Sequence, residues 1–181
     1  MPKAKDAEEE LASFMAKFTP EIASHAKAIR AEMRELYPTA LELVYDNYNA
    51  LAIGYGPTER SSEAIFSIAL FPRWVSLFFL HSATLPDPDK ILCGSGKVAK
   101  HVVLTSTARL KDPAVQTLMR EATARAKVAF DPKGVHRLIV KSISAKQRPR
   151  RPASNASSAN PANSANPDDN GGSAKPAPGQ P

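Results

Sequence analysis

Residues Leu85 to His101, LPDPDKILCGSGKVAKH, gather the side chains best suited to chemistry: two glycines, lysines, a histidine and the chain's only cysteine, behind a Pro-Asp-Pro turn. A phosphate-cradling loop of the Walker type needs glycine, four residues, glycine, lysine and then a hydroxyl residue, between a strand and a helix. For Gly96-Lys97 that means glycine at position 91 and Ser or Thr at position 98, where the chain has Ile91 and Val98, and the segment after Lys97 is strand-like rather than helical. Gly94 and Gly96 are therefore expected to supply positive φ for a turn. The alternative chemistry is an anion held by backbone N–H groups and Lys97. A nucleophilic Cys93 needs a base such as His101, which spacing alone does not place beside it; an inert, buried thiol is the simpler reading.

Other residues extend this inventory. His81 ends one apolar strand and His101 begins the next, so the two are expected to converge at one end of a sheet, with Lys97 between them in sequence. Two histidines make a thin metal site, because structural zinc takes four ligands. His25 lies at the border of an apolar helical stripe and reads as a packed helix histidine. Asn47, Tyr48, Tyr55, Arg73 and Trp74 form an aromatic and polar set in which Tyr and Trp combine an apolar body with one donor, which suits a small-ligand cleft. Arg73 offers a bidentate donor for carboxylate or phosphate. Together with His81, Lys97 and His101 they form the candidate cleft. The chain has no G-x-S-x-G elbow, H-E-x-x-H, C-x-x-C or dinucleotide fingerprint, so no catalytic residue is assigned and the reading leans away from an enzyme.

Around these residues, helical periodicity covers Ala7 to Phe18, with Leu11, Phe14, Met15 and Phe18 on one face. Thr19-Pro20 starts a second helix and Pro38 ends it near Leu36. The period then shortens to two. Strands are expected at 41–46, 50–55, 64–71, 74–80 and 100–105, with a tight hairpin at Pro72-Arg73. Asp112-Pro113 opens another helix, and 136–144 reads as an edge strand guarded by Arg137 and Lys141. This order predicts an α+β domain: an antiparallel sheet of about five to six strands with helices packed on one face.

After Ile143 the chain has no Val, Ile, Leu, Met, Phe, Trp, Tyr or Cys. A segment without apolar surface cannot offset the entropy of ordering, so residues 144–181 are expected to be a disordered tail on a domain spanning 1–143. The net charge of +6 is shared between a mildly basic body and that tail. In the tail, Lys146, Arg148, Arg150 and Arg151 form a run that attracts polyanions, nucleic acid among them. One cysteine precludes an internal disulfide, and the N-terminus shows no apolar signal region. A cytoplasmic location away from membranes is the expectation, with a small ligand or a protein as partner.

The segments VYDNYNALAIGYGP, LFPRWVSLFFLHSATLPDP, GSGKVAKHVVL and LIVKSISAKQRPRRP resemble the bacterial YdhG-like family, domain of unknown function 1801, from about Pro20 to Pro152. The resemblance implies a frataxin-like α+β sandwich in a cytosolic bacterial protein, and one branch of that family is described as an iron chaperone. No cofactor is evident from the residues themselves; iron enters through the resemblance. Hard iron binding calls for a dense carboxylate ridge. The only dense acidic run is Asp6, Glu8, Glu9 and Glu10, which also suits a solvated helix start. A non-catalytic small-ligand or partner-binding domain is the leading expectation, with an iron chaperone and a nucleic-acid-associated protein as alternatives.

Overall fold

The computed structural model describes residues 4–153, and side chains from Asp6 onward. The order is α1 (Ala4–Met15), α2 (Pro20–Leu36), β1 (Leu41–Asp46), β2 (Leu51–Gly56), β3 (Phe66–Leu70), β4 (Val75–Phe79), β5 (Lys100–Leu104), α3 (Pro113–Ala124) and β6 (Leu138–Ile143). Single 3-10 turns at Ser61–Glu63 and Thr107–Lys111 are additions the periodicity did not signal. The two Pro-initiated helices start as their caps dictate. Thr19 Oγ1 accepts from the Ile22 N–H at 3.4 Å, and the Asp112 carboxylate accepts from the Ala114 N–H at 3.0 Å. His25 is half-buried, its Nε2 2.6 Å from the Leu104 carbonyl at the end of β5.

The fold is α+β, with strand order β5-β4-β3-β2-β1-β6. β1 through β5 form an antiparallel meander, but β6 pairs with β1 in parallel, so the sheet is mixed rather than antiparallel. The reason is the path. β5 ends at the same end of the sheet as β1, and α3 carries the chain back, so β6 must start beside the start of β1.

Strand alternation assigns the faces. Val44, Leu51, Ile53, Phe66, Ile68, Leu70, Val75 and Leu77 share one core with Leu11, Phe14 and Phe18 of α1 and its end, Ile29 and Met33 of α2, and Leu118 and Met119 of α3. All three helices therefore pack on one side. Among the described residues, no helix is long and apolar enough to cross a membrane.

Two carboxylates of β1, Glu42 and Asp46, lie on this helix-facing side and are fully buried. Glu42 anchors a network: Arg30 donates to its two oxygens at 2.9 and 2.6 Å, His136 Nε2 lies 3.1 Å away, and the Tyr55 hydroxyl donates at 3.2 Å. Arg30 also holds Glu8 of α1 with bonds of 2.9 and 2.7 Å. Arg34 donates to His136 Nδ1 at 3.1 Å, which puts the ring proton on Nε2, facing Glu42.

Burial alone raises the Glu42 carboxyl pKa, but hydrogen bonds from His136 and Arg30 outweigh it and hold it at about 2. Burial likewise opposes the charge on Arg30, yet its bonds to Glu42 and Glu8 raise its pKa. Stability depends on pH accordingly. With a folded pKa of about 2 against 4.5 unfolded, the contribution of Glu42 is full above 4.5 and is lost as pH falls toward 2. The shift corresponds to on the order of 3 kcal/mol. Urea midpoints measured between about pH 6 and pH 2 should fall steeply in that window, and Glu42→Gln should flatten the fall.

The second carboxylate corrects the domain boundary drawn at Ile143. Residues 144–153, grouped with the tail by composition, lie against the body. Arg150 is buried, donates to Asp46 Oδ1 at 2.8 Å and to the Asn47 carbonyl, and stacks over Phe18 at 5.6 Å. The Ser144 N–H donates to the Asp46 carbonyl at 2.8 Å, the Arg148 N–H to the Tyr48 carbonyl at 2.9 Å, and Lys17 Nζ reaches Asp46 Oδ2 at 2.7 Å. Backbone bonds and a buried ion pair hold this segment, which a count of apolar residues cannot register. The tail reading for residues 154–181 lies outside the described residues.

Candidate anion-binding site

The stretch after β4 is built from local hydrogen bonds. Ser82 donates through its N–H and Oγ to the Val98 carbonyl at 2.8 and 3.1 Å, closing the 82–98 excursion at its base. The Pro-Asp-Pro turn works through Asp87, whose carboxylate accepts from the N–H groups of Ile91 and Leu92, each at 3.0 Å. Lys90 within it sits at φ 53°. Cys93 then bridges antiparallel to His101, with N–O distances of 2.7 and 3.0 Å.

Gly94 reverses the chain at φ 107°, as expected of a glycine turn. Gly96 is required for a different reason. Its φ is not positive, but a Cβ there would lie 2.6 Å from the Ala99 carbonyl oxygen. The backbone N–H groups of Gly94, Ser95, Gly96 and Lys97 donate to no acceptor among the described residues. This loop, with Ser82, Ala83 and Lys100, lines a basin of about 470 Å3 whose lining holds two lysines and no carboxylate. Successive free N–H groups flanked by lysines form a concavity suited to an anion.

Beside the basin, and sharing Ala83 with it, is a cavity of about 250 Å3 between His81, Val98 and the end of α3. Arg125 and Lys127 sit at its rim, where cations also suit the carbonyl end of a helix.

The candidate cleft expected from the sequence does not come together as one site. Lys97 lines the basin and His81 the neighbouring cavity. His101 does not converge with His81. It lies on the sheet face away from the helices, stacked on Phe78 at 4.8 Å, and burial lowers its pKa. It still supports the loop, since a Cβ at Gly94 would meet His101 Nδ1 at 3.5 Å. Tyr55 is core rather than cleft: it is fully buried on Glu42, and burial together with the charge of Glu42 raises its pKa well above 10.

Asn47, Tyr48, Arg73 and Trp74 lie at the opposite end of the sheet, in the β1–β2 and β3–β4 turns. There Trp74 stacks on Phe71 at 5.1 Å and Arg148 on Tyr48 at 5.5 Å. Cys93 is half-buried, and its Sγ leans to the Ile91 carbonyl at 3.8 Å; the bridge sets it beside His101, an adjacency spacing did not reveal.

Of the acidic run, Glu8 is committed to Arg30, which holds its pKa below the usual carboxylate value. Among the described residues, no group of three or more His, Cys, Asp or Glu is arranged to hold a metal ion. The tail run is also divided: Lys146 and Arg148 are exposed, Arg150 is buried, and Arg151 donates to the Ala16 and Lys17 carbonyls at the end of α1 at 3.4 and 3.3 Å. Sequence reasoning missed Ser82 and Lys100. Lys100 is the polar first residue of β5, a position that reads as an ordinary strand start.

No family model, curated protein or solved structure matches the chain.

Proposed function

We propose that this domain is a non-catalytic binder of a small anionic ligand, held at the Gly94–Lys97 loop. The observation that carries the reading is the run of four consecutive backbone N–H groups, Gly94 to Lys97, without acceptors among the described residues, in the lining of a basin that also holds the Lys97 and Lys100 side chains and no carboxylate. Fixed N–H dipoles and two ammonium groups attract a tetrahedral oxyanion. These groups hold charge without moving a proton, so they support binding rather than turnover.

The reading is tested by titrating the protein with inorganic phosphate, following the amide resonances of residues 94–97 by NMR. Saturable shifts confined to this loop and to Ser82 and Lys100 are expected. Lys97→Ala and Lys100→Ala should each weaken binding about tenfold, as expected for loss of a hydrogen bond to a charged group. Arg73→Ala, at the other end of the sheet, should leave it unchanged. Shifts that never saturate, or lysine variants that bind as the parent does, defeat the proposal.

A further inference from the structure

Resting on the anion reading, we infer that the ligand carries an apolar body of aryl or short-alkyl size next to its anionic group, and that this body occupies the cavity beside the basin. The two spaces adjoin: Ala83 lines both, and Ser82 of the basin is bonded to Val98 of the cavity. Their linings differ in kind. The basin is glycine, serine and lysine, whereas the cavity wall is largely apolar, built from Ile65, Ala83, Val98, Ala122 and Ala126. An anion alone leaves the second without an occupant suited to it.

Val98 supplies a second observation. It is 63% exposed, and it lines the cavity next in sequence to Lys97 of the basin. A ligand that bridges them covers this side chain, so its burial favours a bound molecule with an apolar part. Size sets the class. At about 250 Å3 the cavity exceeds the roughly 150 Å3 that admits a benzene ring and falls below the roughly 300 Å3 at which drug-sized pockets begin. A phenyl or four- to six-carbon alkyl group fits. Lys127 in the lining disfavours a cationic body, while the charge of Arg125 is shared with Glu121. The ligand class is therefore an organic phosphate or carboxylate with one small apolar substituent.

The test compares the full chain's affinity for inorganic phosphate, methyl phosphate, butyl phosphate and phenyl phosphate by calorimetry. A fully buried methylene tightens binding by about fourfold, so the three extra methylenes of butyl phosphate, even partly buried, should raise its affinity over methyl phosphate by about tenfold or more. Val98→Ser, which changes an exposed side chain and keeps the backbone carbonyl that Ser82 binds, should cut that butyl-to-methyl ratio severalfold. Equal affinity for methyl and butyl phosphate overturns the apolar body while the anion reading stands. A butyl advantage that Val98→Ser leaves intact places the body elsewhere and also overturns it. Absence of binding by every phosphate, the inorganic ion included, removes both readings.

Discussion

Glu42→Ala should destabilise the domain by about 3–5 kcal/mol, the range seen when one partner of a buried ion pair is removed. The substitution leaves Arg30, whose side chain is 13% exposed, with only the half-exposed Glu8, and strips the Tyr55 hydroxyl and His136 Nε2 of their acceptor. At roughly 3 °C per kcal/mol for a domain of this size, the melting temperature should fall by about 10–15 °C. Charge desolvation, rather than lost packing, is the cause, and a double variant separates the two. Glu42→Leu with Arg30→Met replaces charge with apolar volume and should recover more than half of the loss. A Glu42→Ala variant within about 1 kcal/mol of the parent would show that water reaches the network and that it contributes little.

Arg150→Ala should cost about 3 kcal/mol, although it lies beyond the last strand. Asp46 is fully buried, and the change leaves its Oδ1 without a partner while Lys17 holds only Oδ2. The Asn47 carbonyl loses a donor as well. Part of this cost is offset, because Arg150 Nε and Nη1 are buried without acceptors and their removal relieves a penalty. Arg150→Met combined with Asp46→Asn should therefore unfold at a higher urea concentration than Arg150→Ala alone. A chain ended after Ile143 should be destabilised too, since the Ser144, Gln147, Arg148 and Arg150 bonds to the β1–β2 corner all disappear. If that shortened chain unfolds at the parent's midpoint, the segment does not contribute to the body.

These two residues mark the limit of what the sequence discloses. Local signals were legible. Thr19-Pro20 and Asp112-Pro113 set helix starts that the structure reproduces, and alternation placed β1 at Leu41–Asp46. The faces of β1 were not legible. By composition Leu41, Leu43 and Tyr45 are its apolar side, yet Glu42, Val44 and Asp46 face the helices. That inversion is stable only because Arg30 and Arg150 arrive from 12 and 104 residues away, and no window of sequence carries such a pairing. The parallel β6 was hidden for the same reason, since its direction is set by the route of α3 rather than by its own residues. In the candidate site, the glycines and Lys97 stood out in the sequence. Lys100 and the wall of α3 did not, because they join the loop only after the sheet has formed.

The parallel seam between β1 and β6 also orders events in time. Strands β1 to β5 are sequential neighbours, so they can zip as a series of short-range hairpins. The β1–β6 ladder and the Arg150–Asp46 pair join residues roughly a hundred positions apart, and closures of that span come late and slowly. During synthesis on the ribosome, the outer edge of β1 and the carboxylate of Asp46 wait for the last part of the body to emerge. Until then the nascent chain presents an open strand edge, a template for pairing with another chain. The interval before residues 138–150 appear is accordingly when this protein is most exposed to misassembly, and when a chaperone that shields strand edges would matter most.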